Sequence, residues 1–113
     1  MTAIADTPDL QAIGLMNLDF LPEDFAMLFI KKTPQKINMW MKNTRIPLDM
    51  IFIDENFKII HIEKNTIPYS LDILSSNSAA LGVIEINGGL ADKYKIKNGY
   101  EIKLENNKIL SRQ

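Results

Sequence analysis

Cysteine is absent from this chain of 113 residues, which excludes disulfides, thiolate nucleophiles and Cys-based zinc or iron–sulfur sites while leaving the compartment open. Histidine occurs once, so a metal centre of the usual kind would lack ligands. Neither sign of charge dominates: 13 Lys and Arg face 14 Asp and Glu, a formal net charge of -1. No basic field is available to hold a phosphate backbone or an anionic membrane, and nucleic acid is not an expected partner. No apolar run approaches the roughly 18 residues of a membrane-spanning helix. The opening MTAIADTPDL has no basic n-region followed by an apolar h-region, so no signal peptide is expected within the chain. GxGxxG and GKS or GKT sequences are missing, and Ser75, Ser76 and Ser78 lack the glycines of a nucleophile elbow. Nucleotide binding and serine hydrolysis therefore have no support.

What is present predicts one domain. At this length the chain should bury roughly two thirds of its unfolded surface, enough for a core without staples. Thr7-Pro8-Asp9 opens a short helix over residues 8 to 16: a hydroxyl N-cap, proline in the first turn and an acid at its positive end. AMLFI at 26 to 30 reads as a buried strand. KINMWMK at 36 to 42 alternates, with Ile37, Met39 and Met41 on one face and Asn38, Trp40 and Lys42 on the other. LDMIFI at 48 to 53 repeats the scheme, and FKIIHI at 57 to 62 follows across Asp54-Glu55-Asn56. Two adjacent β-hairpins are expected at the centre, then a long surface loop over residues 63 to 79. ALGVIEIN at 80 to 87 returns to strand, Gly88-Gly89 breaks it, LADKYKIK is a second short helix, and YEIKLENNKIL closes the chain as a hairpin about Asn106-Asn107. The fold class is mainly β: a small single-domain β-sandwich or distorted barrel with two short helices, spanning residues 1–113 with its core at about 4–104.

The densest chemistry lies in WMKNTRIPLD. Trp40, Lys42, Asn43, Thr44 and Asp49 could line a polar pocket with an indole wall, the cations taking a carboxylate or phosphate and the amide and hydroxyl orienting it. The same residues could instead build a turn, with Asn43 reversing the chain, Thr44 bonding backbone, and Asp49 closing the loop through Lys42, Arg45 or nearby amides. Asp49 shares its face with Ile51 and Ile53 and would be costly to bury unpaired. His61 is expected in the core or hairpin, on the face of Phe57 and Ile59. Met39 and Met41 could hold a soft copper(I) ion, but packing is the simpler use of methionine in an apolar stripe, and no metal or other cofactor is assigned. Asn87-Gly88-Gly89 resembles a backbone nest for an anion, or simply a turn that needs unusual dihedrals.

Taken together, Gly14-Leu15-Met16, Met27-Leu28-Phe29, Trp40 to Thr44 with Pro47-Leu48-Asp49, and Ile84-Glu85-Ile86-Asn87-Gly88 resemble the bacterial and archaeal family called domain of unknown function 192. The resemblance covers about residues 4 to 104. It implies a compact, mainly β domain without an established activity, and, since many relatives are exported, a periplasmic or exported location. The chain departs from its relatives in having Asn17-Leu18 where they show an aromatic and an arginine, Ala26 where they show glycine, and no Cys-Pro loop after the central hairpin. These readings favour a noncatalytic cell-envelope binding or accessory domain for a small anionic ligand or a protein segment. The alternative is an enzyme with Asp49 as general acid or base and Lys42 as electrostatic stabiliser.

Overall fold

The computed structural model describes the backbone of residues 2–5, 15–105 and 108–112 and the side chains of residues 15–103. Among these residues, seven strands and one helix follow in chain order: β1 Thr2–Ala5, β2 Ala26–Met39, β3 Leu48–Ile53, β4 Ile59–Glu63, β5 Leu74–Asn87, α1 Leu90–Lys93, β6 Glu101–Glu105 and β7 Lys108–Arg112. The first five form one sheet in the order β1-β2-β5-β3-β4, and β6-β7 form a separate antiparallel ribbon. β2, β5, β3 and β4 pair antiparallel, while β1 runs parallel to β2.

The pattern of β3 explains its place. All six of its residues are buried, and alternation sends Leu48, Met50 and Phe52 to one core while Ile51 and Ile53 enter the other. A strand apolar on both faces is stable only with a layer on each side. Leu15 and Leu21 cover the first face. Leu90 of α1 and Ile102 of β6 cover the second.

Several expectations change. β3 and β4 do form a hairpin, and β6 and β7 pair about residues 106 and 107. The other central hairpin does not form, because the long β5 lies between β2 and β3 and bonds both. Among the described residues the sheet is open, so the barrel reading is corrected to a covered sheet, and one short helix is present. The helix expected over residues 8 to 16 falls almost wholly outside the described residues. The second helix is confined to Leu90–Lys93. The two runs at 26 to 30 and 36 to 42 belong to a single strand that ends at Met39, with register shifts between Ile30 and Gln35 and between Lys36 and Asn38. Such irregularity lets Pro34 sit within a strand.

The loop expected over 63 to 79 contracts to residues 64–73. Its serines read as loop by composition but serve the sheet. The buried Ser76 hydroxyl accepts from Ile37 N at 2.9 Å and donates to Ser78 O at 2.7 Å, replacing a ladder bond at the register shift. On β4 a second irregularity places His61 opposite Phe52 but Ile59 opposite Ile53. The extra residue turns His61 to the face opposite Ile59, which corrects its expected orientation.

Gly82 allows β5 to approach β2: a Cβ there would lie 2.4 Å from the Phe29 carbonyl oxygen. Backbone on a paired strand cannot yield as a side chain can. Gly82→Ala should therefore lower unfolding free energy by roughly 2–3 kcal/mol, read as a reduced urea midpoint with an unchanged m-value.

Candidate functional site

The segment from Trp40 to Asp49 leaves the sheet, turns and re-enters it as β3. Asn43 takes a left-handed conformation (φ 55°), Thr44 N donates to Met41 O at 3.1 Å, and the Thr44 hydroxyl donates to Lys42 O at 3.2 Å. Two neighbouring segments clamp this turn through backbone bonds. On one side Asn17 N donates to Asn43 O at 2.8 Å; on the other, Met41 N donates to Ser70 O and Tyr69 N to Thr44 O, both at 3.0 Å. Met41 and Thr44 point inward and are buried, whereas Trp40, Lys42, Asn43 and Arg45 face solvent.

Asp49 stands apart from them. It is fully buried, and both carboxylate oxygens accept backbone hydrogen bonds: Oδ1 from Asn65 N at 2.9 Å and Gly89 N at 3.2 Å, Oδ2 from Ala91 N at 2.8 Å. Of the Asn87-Gly88-Gly89 stretch read as a nest, only Gly89 N reaches the chain's own Asp49, joined by Ala91 N, while Gly88 N donates to Pro47 O at 3.0 Å. Neither cation of the turn serves Asp49. Arg45 pairs with Asp19 at 2.6 Å, and the Lys42 ammonium lies 5.2 Å from the Trp40 ring centroid. The five residues singled out in the sequence therefore separate into an exposed group, Trp40, Lys42 and Asn43, and an interior pair, Thr44 and Asp49.

The exposed group belongs to a larger surface. Leu18, Phe20, Trp40, Ile67, Tyr69, Leu71 and Ile73 are all exposed large hydrophobic residues, Phe20 and Ile67 by more than 70%. They come from the three segments that the backbone bonds tie together. Asp19 and Tyr69 both act on the Arg45 guanidinium, Asp19 first, holding its proton more firmly still. Asn17 (φ 64°), Asn43 (φ 55°) and Tyr69 (φ 64°) place a left-handed residue in each segment. For a bulky aromatic that conformation is strained.

Glu85 was not singled out by sequence reasoning. It lies on β5 between Met27 and Met50 and is only 4% exposed. Burial alone pushes its carboxyl up to about 8. The available signal was an acid inside the otherwise apolar GVIEI run. His61, half-buried, shares a 2.8 Å contact with Glu63 and stacks obliquely near Phe52, ring centroids 5.7 Å apart. Met39 and Met41 pack in the core, with the Thr66 hydroxyl 3.1 Å from the Met41 sulfur. Among the described residues no three His, Asp or Glu side chains gather where a metal could sit, and no helix is long and apolar enough to cross a membrane.

The sequence profile of the DUF192 family, described as Uncharacterized ACR, matches residues 1–104, and the chain belongs to that family. Two solved structures are similar. One is a protein of unknown function from Novosphingobium aromaticivorans DSM 12444, at 37% identity and TM-score 0.88, covering 91% of this chain and 74% of that one. The other, from Sinorhizobium meliloti 1021 and described as a "putative transcription regulator", matches at 30% identity and TM-score 0.86 over 97% of this chain and 80% of its own. No functionally curated protein matches the chain.

Two outcomes follow for the buried carboxyls. Asp49→Asn aims an amide N–H₂ at backbone donors and should cost roughly 2–4 kcal/mol in urea unfolding, whereas Lys42→Met should leave stability unchanged. Glu85 behaves oppositely. Its folded-state value lies above the ordinary 4.5, so the folded chain keeps a proton that the unfolded chain releases between those limits. The contribution of Glu85 to stability is then fully present below about pH 4.5 and falls by up to about 1.4 kcal/mol per unit as pH rises to about 8. Glu85→Gln should remove that slope and be the more stable protein at pH 8.

Proposed function

We propose that this DUF192 domain is a noncatalytic binding module that docks a protein segment on the surface built by residues 17–20, the Trp40 to Arg45 turn and the 64–73 loop. The observation that carries this reading is the presence of seven exposed large hydrophobic side chains on the Trp40 turn and the two segments bonded to it. Monomeric soluble proteins rarely leave such a patch without a partner. Trp40 and Tyr69 are the residue types that anchor interfaces.

Charge narrows the partner. The exposed Lys42 sits over an indole rather than against an acid, and the Arg45–Asp19 pair is solvent-exposed on both sides, where such pairs contribute little. Either cation can take up a carboxylate from outside. The apolar extent favours a peptide segment with large hydrophobic side chains and a neighbouring Asp or Glu over a small anion. Placement in the cell envelope rests on the family resemblance alone. An enzymatic role for Asp49 lacks comparable support, because both of its oxygens are already engaged by amides away from solvent.

Selection of a random displayed-peptide library on the wild-type chain, counter-selected on Trp40→Ser/Tyr69→Ser, tests the proposal. Enriched peptides should combine aromatic or aliphatic residues with a carboxylate. They should bind wild type at least about tenfold more tightly than the variant, and shift backbone amide signals at 17–20, 40–45 and 67–73. No shared sequence character, or shifts centred elsewhere, would discard this surface as the site.

A further inference from the structure

Away from that surface, β4 ends the sheet, paired with β3 on its inner edge. Its outer edge is occupied at one place. Ile59 N donates to Tyr100 O and Ile59 O accepts from Gly99 N, both at 2.8 Å, beside the Lys58–Glu101 bridge. At the far end Asn65 takes a left-handed conformation (φ 49°) and gives its N–H to Asp49, which turns the chain out of the sheet. Between these limits lie residues 60–64, and among the described residues no backbone bond reaches their outer side. Ile60, His61, Ile62 and Glu63 are half-buried. An open edge carrying half-buried β-branched residues is a template for another strand.

We propose that this window pairs with its own copy, joining two chains antiparallel through β4 into a twofold dimer with one continuous sheet. The limits of the window set the register. Its centre is Ile62, so a twofold axis there matches the two open edges in full, and each chain turns away where the other's edge is already filled. That axis sets Ile62 against Ile62 and His61 against Glu63 of the second copy. Charge selects the same register independently. Within one chain His61 Nε2 lies 2.8 Å from Glu63 Oε1, and the two side chains share the face of Phe52 and Met50, their opposite numbers on β3. Directly opposed residues in antiparallel strands share a face, with Cβ atoms about 5 Å apart. The dimer therefore brings two His61–Glu63 pairs together with imidazole and carboxylate alternating around the cluster. An axis one residue away in either direction would set His61 against His61 or Glu63 against Glu63. So short a window makes a small interface, and the association is of the weak, reversible kind.

Sedimentation equilibrium of the full chain across about 10 to 500 µM tests the pairing. Wild type should sediment as a reversible monomer–dimer mixture, and the backbone amide signals that move with concentration should centre on residues 60–64. His61→Glu sets carboxylates against each other at both symmetry-related pairs, and Glu63→Lys removes the carboxylate from both. Each variant alone should dimerise at least about tenfold more weakly than wild type. An equimolar mixture of the two should recover most of the lost association: the new carboxylate at position 61 of one chain faces the new ammonium at position 63 of the other, while the remaining His61 and Glu63 face each other. Recovery on mixing cannot arise from a change within either chain. Circular dichroism verifies each fold, and the amide shifts of wild type need neither variant. A wild type that stays monomeric throughout, shifts centred on the Trp40 surface or elsewhere, or a mixture no more associated than its components would overturn the proposal.

Discussion

The Asp49 carboxylate is the contact on which the arrangement of the rest depends. It lies near the start of the most buried strand, yet it gathers amides from two distant places: Asn65, where the chain leaves β4, and Gly89 and Ala91, where it turns from β5 into α1. A carboxylate that accepts several backbone N–H bonds has its charge dispersed over fixed dipoles, so it can be dry without an ion-pair partner. The helix is one turn long and could not persist alone. Its first amides are held by Asp49, and Leu90 and Ala91 then close the second core. On the other side, fixing Asn65 fixes Thr66, whose hydroxyl accepts from Leu48 N at 3.0 Å and whose N–H donates to Leu48 O at 2.9 Å. From there the 64–73 loop is positioned, and the Trp40 turn hangs from that loop by two backbone bonds. The exposed surface is thus set by an acid that never reaches it.

The sheet buries two carboxyls, and their surroundings separate them. Asp49 has its hydrogen bonds supplied by backbone; Glu85 has thioethers for neighbours and no donor among the described residues. In the first, amides replace the water lost on burial. The second lowers its own burial cost by holding a proton. A group of this second kind weakens the fold as pH rises and contributes nothing to packing that a neutral side chain would not.

Most of the local structure was legible in the residues, and most of the pairing was not. Alternation in LDMIFI assigned every side chain of β3 to its proper face, and Asp54-Glu55-Asn56 marked the β3–β4 hairpin, because both signals are local. Nothing local says that β5 rather than β2 lies beside β3. The arrangement is non-local: β5 pairs with β2 on one edge and with β3 on the other, although β4 and the 64–73 loop separate it from β3 in the chain. The loop at 63 to 79 was overdrawn because serines are turn formers by composition, whereas Ser76 here stands in for a ladder bond. His61 was assigned to the wrong face by a single extra residue on β4, since the period of two offers no warning of a bulge. At the site, the local part of the structural reading held for Asn43, which turns the chain, and for Thr44, which bonds backbone; Asp49 does not close that turn but takes amides from Asn65, Gly89 and Ala91, distant in sequence. The surface was missed because its apolar residues come from three segments that meet only in the fold.

WMKNTRIPLD is therefore two things at once. Met41, Thr44, Leu48 and Asp49 are interior, and each has a packing or hydrogen-bonding reason to be what it is. Trp40 and Lys42 have no interior role of that kind, and Arg45 has only a solvent-exposed pair with Asp19. A tryptophan that leaves 43% of its surface in water withholds much of the burial energy that makes the residue valuable to a core, and its ammonium neighbour gains little at an exposed position. Turn-building required the first set and would tolerate alanine or serine at the second. The strained Tyr69 beside them points the same way, since left-handed backbone at a bulky residue persists only where the surrounding structure enforces it. Rigid backbone beneath and large unpaired apolar side chains above are the properties a docking surface needs, because the anchors are ordered before the partner arrives and little entropy is left to lose.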